Sequence, residues 1–351
     1  MPSFLSSSLA PAAARTQPFV LLQSSTAQSC VDVLRFAVRE ATSKADGCTL
    51  LFSLLYPPSA LVEQNQLSHE RLQIFDWTSQ VPGYSEKDFD VKSQMLGTVQ
   101  DAPQGPMTIV VDSGDILLSD IGSLSKTEQL LASLLSVVKS RKGSRLVIHL
   151  NTPSPLTSIL TQTRFCSSFT HIIAHPTALI SHLATAYLTP PPPLSPPEKF
   201  WRVFNPIAER HYESEKLVFG SDGEGSGGSE FVTELLTRGA DGSGRRRGVE
   251  RALEGWSAGA PCELSALGAL KALFVRRIAE EQAAPDPTQN LSFNLNLTDE
   301  QQRSRAQVPL PYAHEGKPTE QTTVPLPAAI LYDPDSADDL DDDDPDEDLD
   351  I

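Results

Sequence analysis

The apolar run Thr108-Ile-Val-Val111 ends in Asp112. An aspartate at the end of a buried strand stands where nucleotide hydrolases keep the acid that positions Mg²⁺. Such an acid needs a partner site, the turn after an earlier strand, where a Gly-rich loop aims backbone N–H groups at phosphates and a Lys neutralises them. The matching turn here is Ser24-Ser25-Thr26-Ala27-Gln28-Ser29, between the apolar run Phe19 to Gln23 and a helix from Val31. It contains no glycine and no lysine. The spacing keeps the frame of a nucleotide site without its phosphate-binding groups, and Asp112 reads as the cap of the turn after its strand.

The other constellations are weaker. Gly223-Glu-Gly225-Ser-Gly227-Gly228 formally matches a dinucleotide loop, yet Asp222 and Glu224 would repel phosphate, and the stretch reads as a flexible hairpin tip. His171 and His175 have i, i+4 spacing without the intervening glutamate of a zinc helix. On a strand they share a face, though farther apart, and read as satisfied or exposed histidines. No G-x-S-x-G elbow surrounds Ser113, so no acyl-transfer nucleophile is expected. Cys30, Cys48, Cys166 and Cys262 are dispersed and form no C-x-x-C pair. They read as reduced thiols of a cytoplasmic or nuclear protein. No catalytic residue, metal or cofactor is expected. Arg245, Arg246 and Arg247 sit in a Gly-flanked loop and could each reach a separate phosphate of a nucleic acid without reading its bases.

The elements that position these residues alternate between strand and helix from residue 18 to about 187. Val31 to Glu40 is helical, with Val31, Leu34 and Val38 on one face. Cys48 to Tyr56 is a near-continuous apolar run of the kind buried parallel strands show. Leu72 to Thr78 alternates like an edge strand. Thr127 to Lys139 is a helix, Arg145 to Leu150 and His171 to Ala174 are strands, and Thr177 to Tyr187 is a helix. This alternation predicts an open, mostly parallel sheet covered by helices. Thr189 to Pro197 reads as a stiff polyproline-like connector. Beyond it, Phe200 to Phe204, Lys216 to Phe219 and Phe231 to Thr237 read as antiparallel strands at one sheet edge. Leu264, Leu267, Leu270, Phe274 and Ile278 form a stripe at helical spacing.

The net charge of −17 is a property of the C-terminus. Residues 333 to 351 carry 12 of the 45 acidic residues and no Lys or Arg, which leaves 33 acids against 28 bases, or −5, in the rest. The expected organisation is a flexible N-terminus (1–16), an α/β domain (17–284) with the Pro-rich connector 189–197 and Gly-rich loop 220–229, and an extended segment running into a disordered acidic tail (285–351). No apolar run reaches the ~18 residues of a spanning helix, and no membrane association is expected.

The last third of the chain carries a recognisable succession. Ser292-Phe-Asn-Leu-Asn-Leu297 and Thr298-Asp-Glu-Gln-Gln-Arg303 lead to Val308-Pro-Leu-Pro-Tyr312. Ile330-Leu-Tyr-Asp-Pro-Asp335 then opens the terminal acidic tract. These residues resemble the end of the fifth-subunit family of the Elongator complex, in its fungal form. The resemblance implies a RecA-like (P-loop NTPase-like) fold without Walker motifs, and a chain that is not itself an enzyme. It further implies a hetero-hexameric ring with the fourth and sixth Elongator subunits. That ring binds tRNA, docks on the catalytic subcomplex and supports wobble uridine modification in the methoxycarbonylmethyl and carbamoylmethyl uridine pathway. On this reading Phe293, Leu295, Leu297, Leu310 and Tyr312 are the partner-interface candidates, and the loop Ser24 to Ser29 belongs to a subunit that does not hydrolyse ATP through it. The competing readings are a degenerate RecA-like ATP-binding protein that uses Asp112, and a DNA-repair accessory factor.

Overall fold

The computed structural model describes residues 3–43, 47–64, 71–81, 90–221, 223, 228–240, 247–275 and 303. The chain divides into two units, Pro285–Ile351 and the sheet-bearing Met1–Ala284. It opens with α1 (Phe4–Leu9) and a short 3₁₀ turn (Pro11–Arg15), then β1 (Phe19–Ser24), α2 (Val31–Thr42) and β2 (Cys48–Ser53). Next come α3 (Pro58–Leu61), β3 (Leu72–Asp76), α4 (Val91–Asp101), β4 (Met107–Val111), α5 (Gly114–Ile121) and α6 (Leu124–Ser140). The series continues with β5 (Arg145–Asn151), α7 (Pro155–Leu160), β6 (Phe169–Pro176) and α8 (Thr177–Ala186). It finishes with α9 (Pro197–Ala208), α10 (His211–Phe219), β7 (Phe231–Ala240), β8 (Arg247–Ser257) and β9 (Ala260–Cys262).

One nine-stranded sheet runs in the order β3-β2-β4-β5-β1-β6-β7-β8-β9. The six strands from β3 to β6 are parallel, and β7, β8 and β9 add antiparallel. All six β1 residues are buried, which explains their unbroken apolar start: both sheet faces are covered. Phe19, Leu21, Leu50, Phe52, Ile109 and Leu146 pack one face with α4 to α7, whereas Val20, Leu22, Leu51, Val110 and Val147 pack the other with α1 and α2. A third cluster joins α8 and α9 to Val232, Leu264, Leu267 and Leu270.

Four expectations are corrected. The N-terminus is not a flexible lead-in: α1 buries Leu5 and Leu9 on the sheet, and Glu254 on β8 accepts from the Leu5 N–H at 2.9 Å. The buried Arg145 donates to the Leu9 carbonyl at 2.8 Å, tying the end of α1 to β5. Leu5→Ala is therefore expected to cost about 2–5 kcal/mol, read as a shifted urea midpoint, where a flexible terminus would show no shift.

Phe200 to Phe204 and Lys216 to Phe219 are helical rather than strands. Pro197 starts α9, and Phe200, Phe204 and Ile207 bury one face at i, i+4, i+7, a period hidden when each short apolar run is read separately. Thr189 to Pro197 is not an extended connector. Thr189 is buried, and Leu194 N–H closes a turn on the Pro191 carbonyl at 2.9 Å. The stripe from Leu264 is not one regular helix: a 3₁₀ turn (Leu264–Ala266) precedes turns and a short helical stretch at 271–275, while Leu264, Leu267 and Leu270 are buried. Ile278 and the acidic tail lie outside the described residues.

Candidate functional site

Five strands, β2-β4-β5-β1-β6, place the turn after β1 in the middle of the sheet, with β5 inserted between β1 and β4. The chain leaves β1 toward β2 on one side, whereas β6 leads away toward β7 on the other. Diverging connections of this kind open a crevice at the carboxyl ends of the strands, where open α/β sheets hold ligands.

The turn is closed by its own groups. Ser25 N–H donates to the Gln28 carbonyl at 2.9 Å, and Gln28 N–H reaches Ser25 Oγ at 3.1 Å. Cys30 N–H donates to Ser24 Oγ at 2.7 Å, and Val31 N–H to Ser29 Oγ at 3.2 Å. Four backbone donors at this turn, of Ser25, Gln28, Cys30 and Val31, are thus spent inside it. Ala27 and Gln28 are buried, and Thr26 and Ser29 are exposed. Asp32 adds negative charge in the first turn of α2, where a phosphate would sit, and its carboxylate pairs with Arg35 at 2.6 Å.

Asp112 is fully buried. Its Oδ1 accepts from Leu54 N–H at 2.8 Å, and its Oδ2 from Leu55 N–H at 2.9 Å and Tyr56 N–H at 2.8 Å. Burial pushes the carboxyl above the usual range while these backbone bonds pull it back. A carboxylate so enclosed caps the chain after β2, the neighbouring strand, rather than the turn after its own strand. Beyond it, Ser113 caps α5 by accepting from Ile116 N–H at 3.2 Å. Gly114 sits in close approach to β5: a Cβ there would lie 2.6 Å from Leu150 Cδ2, which would have to shift.

His149 joins the two halves of the site. Burial pushes its pKa down, so the ring is neutral at physiological pH. Nδ1–H then donates to the Asp112 carbonyl at 2.8 Å, and Nε2 accepts from Ser24 Oγ–H at 2.7 Å. The sequence reading passed over His149. Its signal was a lone titratable residue inside the apolar run Arg145 to Leu150.

The histidine pair is satisfied separately. His171 Nε2 lies 2.9 Å from Gln23 Oε1, and His175 Nε2 lies 2.9 Å from Glu234 Oε2. Arg247 is the first residue of β8, paired with Ala240, rather than part of a loop, while Arg245 and Arg246 lie outside the described residues. Phe293, Leu295, Leu297, Leu310 and Tyr312 lie outside them as well. Among the described residues no group of three metal-ligating side chains converges, and no helix is long and apolar enough to cross a membrane.

Fold and site together define a RecA-like α/β domain whose phosphate-loop position is filled by its own side chains. Residues 12–333 match the family described as Elongator subunit Iki1, and the chain belongs to that family. Elongator complex protein 5 of Danio rerio is 40% identical over 79 residues, 21% of this chain and 27% of that protein. The Mus musculus protein of the same name is 39% identical over 70 residues, and the Homo sapiens one 40% over 70, each covering 19% of this chain and 23% of the relative. The aligned stretches thus span about a quarter of these relatives' length. A KaiC-like protein from Pyrococcus horikoshii superposes with a TM-score of 0.37 at 10% identity, over 68% of this chain and 84% of its own. The fold class rests on the strand order rather than on that superposition.

Proposed function

We propose that this chain is a non-catalytic subunit of Elongator. With the fourth and sixth subunits it forms a hetero-hexameric ring of RecA-like domains, in cytoplasm and nucleus, that binds tRNA and supports wobble uridine modification by the catalytic subcomplex. The observation that carries the reading is the occupied phosphate-loop position: Cys30 N–H, Ser24 Oγ and His149 form a bonded chain where a nucleotide phosphate would be held. Family membership supports the complex. The segment with Phe293, Leu295, Leu297, Leu310 and Tyr312 is the part proposed to lie on a neighbouring subunit, and Arg245, Arg246 and Arg247 the part proposed to meet the tRNA backbone.

Native mass measurement after mixing the purified chain with the two sister subunits tests the assembly. A ring mass is the expected outcome, and a chain that stays monomeric at micromolar concentration sinks it. In the assembled ring, replacing all three arginines with alanine should weaken tRNA binding and flatten its dependence on salt by up to about three phosphate contacts. An unchanged slope removes the arginines from the interface.

A further inference from the structure

The helices on one face of the sheet form two separate groups. α4 to α7 pack over β1, β2, β4 and β5, whereas α8 and α9 pack with Val232 and the turn from Leu264. Between them a row of polar side chains crosses four strands. Gln23 on β1 bonds His171 on β6. His175 on β6 bonds Glu234 on β7. Arg251 on β8 donates through Nε to Glu234 at 2.6 Å and through Nη1 to Asn205 of α9 at 2.6 Å. The Arg251 guanidinium also lies 4.2 Å over the Trp201 ring. Glu234, His175 and Gln23 are each more than nine-tenths buried.

This row borders a cavity of about 190 Å³ in the crevice between the diverging ends of β1 and β6, roofed by α9 and α10. Its walls are of two kinds. Ile173, Ala174, Pro176 and Ala208 are apolar, and the more numerous polar residues include Gln23, Glu209, His211 and the Arg251–Glu234 pair. Gln23 commits its Oε1 to His171, so its amide N–H₂ is the edge that can donate inward. Glu209, at an exposed position, is an acceptor. The size sets the ligand. A volume well above the ~10–15 Å³ that seats one water has room for one flat heterocycle. It is well below the ~300–1,000 Å³ of pockets that enclose a whole cofactor. The guanidinium of Arg251 on its lining is already paired with Glu234, and the remaining carboxylate of Glu209 disfavours a phosphate.

We infer that this cavity receives a single unpaired base of an RNA, read by its edge, with ribose and phosphate left outside. A guanidinium, apolar side chains and donors and acceptors for the edge are the groups that hold an unstacked base, and Arg251, Ile173 and Gln23 supply one of each on this lining. The inference rests on the RNA-binding reading above and adds to it a base-sized site remote from the arginines of residues 245 to 247 in sequence.

The test uses the full chain and saturation-transfer NMR with the four free nucleosides and their monophosphates. At least one nucleoside should bind saturably, and no more weakly than its monophosphate. Ala208→Phe fills the cavity, and His211→Leu, at a half-exposed helix start, removes one polar edge. Each should weaken nucleoside binding about tenfold or more with the melting transition retained. No saturable nucleoside, a monophosphate bound tenfold more tightly, or wild-type binding by whichever variants remain folded overturns the proposal. A ring that binds tRNA while the chain ignores nucleosides sinks only the pocket. Nucleoside binding by a chain whose ring ignores tRNA sinks the wider reading.

Discussion

Replacing Asp112 with alanine will lower the free energy of unfolding by about 3–5 kcal/mol, although the residue occupies the position of a metal-holding acid. Three backbone N–H groups, of Leu54, Leu55 and Tyr56, lose their acceptor at once. Each buried donor left unsatisfied costs roughly 1–3 kcal/mol, and partial rearrangement keeps the sum below the maximum. Asp112→Asn keeps one carbonyl acceptor but turns an N–H₂ group toward the remaining donors, so its cost is intermediate. Urea unfolding of the two variants beside the parent chain measures both. If Asp112→Ala melts with the parent, the carboxylate is not the cap of this turn. Saturable ATP binding that Asp112→Ala abolishes would then restore the nucleotide-site reading of this strand end.

Lowering the pH from 6.5 to 4 will cost the fold about 3 kcal/mol through His171 alone. Burial pushes this imidazole from 6.5 down to about 4, the Glu234 carboxylate working in the opposite direction. A group whose folded pKa lies below its unfolded one binds its proton first in the unfolded chain. Its contribution is complete above pH 6.5 and is lost as pH falls toward 4, at 1.36 kcal/mol per pH unit. Glu234 extends the loss to lower pH. Burial pushes its carboxyl up, but the bond from His175 and the His175 and Arg251 charges bring it below the usual range. Its stabilisation is present above the ordinary glutamate pKa and is lost as pH falls through the folded value. Unfolding free energies measured at half-unit steps from pH 7 to pH 4 show the slope, and His171→Gln should flatten it between 6.5 and 4. Equal stability of the parent chain at pH 6.5 and 4.5 contradicts a buried neutral His171.

Both residues illustrate where reading the chain succeeded and where it stopped. The sheet was legible because parallel strands buried on both faces are apolar over most of their length, as Phe19 to Leu22 and Ile109 to Val111 are. The missing phosphate chemistry was legible because it depends on residue type at one turn, and Ser24 to Ser29 lacks both glycine and lysine. The helices α9 and α10 were not. Their buried faces are set by α8, β7 and the turn at Leu264, partners far away in sequence, and a few aromatic residues between polar ones fit either period.

The sequence by itself determined that this is an α/β chain with an emptied nucleotide frame and an acidic C-terminal tract, since composition and local period are properties of neighbours along the chain. Only the tertiary structure decided what fills the frame. Ser24, Asp112 and His149 come from β1, the end of β4 and β5, and the row Gln23, His171, His175, Glu234 and Arg251 spans four strands. A hydrogen bond needs two atoms within about 3 Å, and Ser24 and His149, 125 positions apart, or Gln23 and His171, 148 apart, meet that condition only once strand order and register are set. The aspartate that looked like the start of catalytic chemistry thereby becomes a cap on its neighbouring strand.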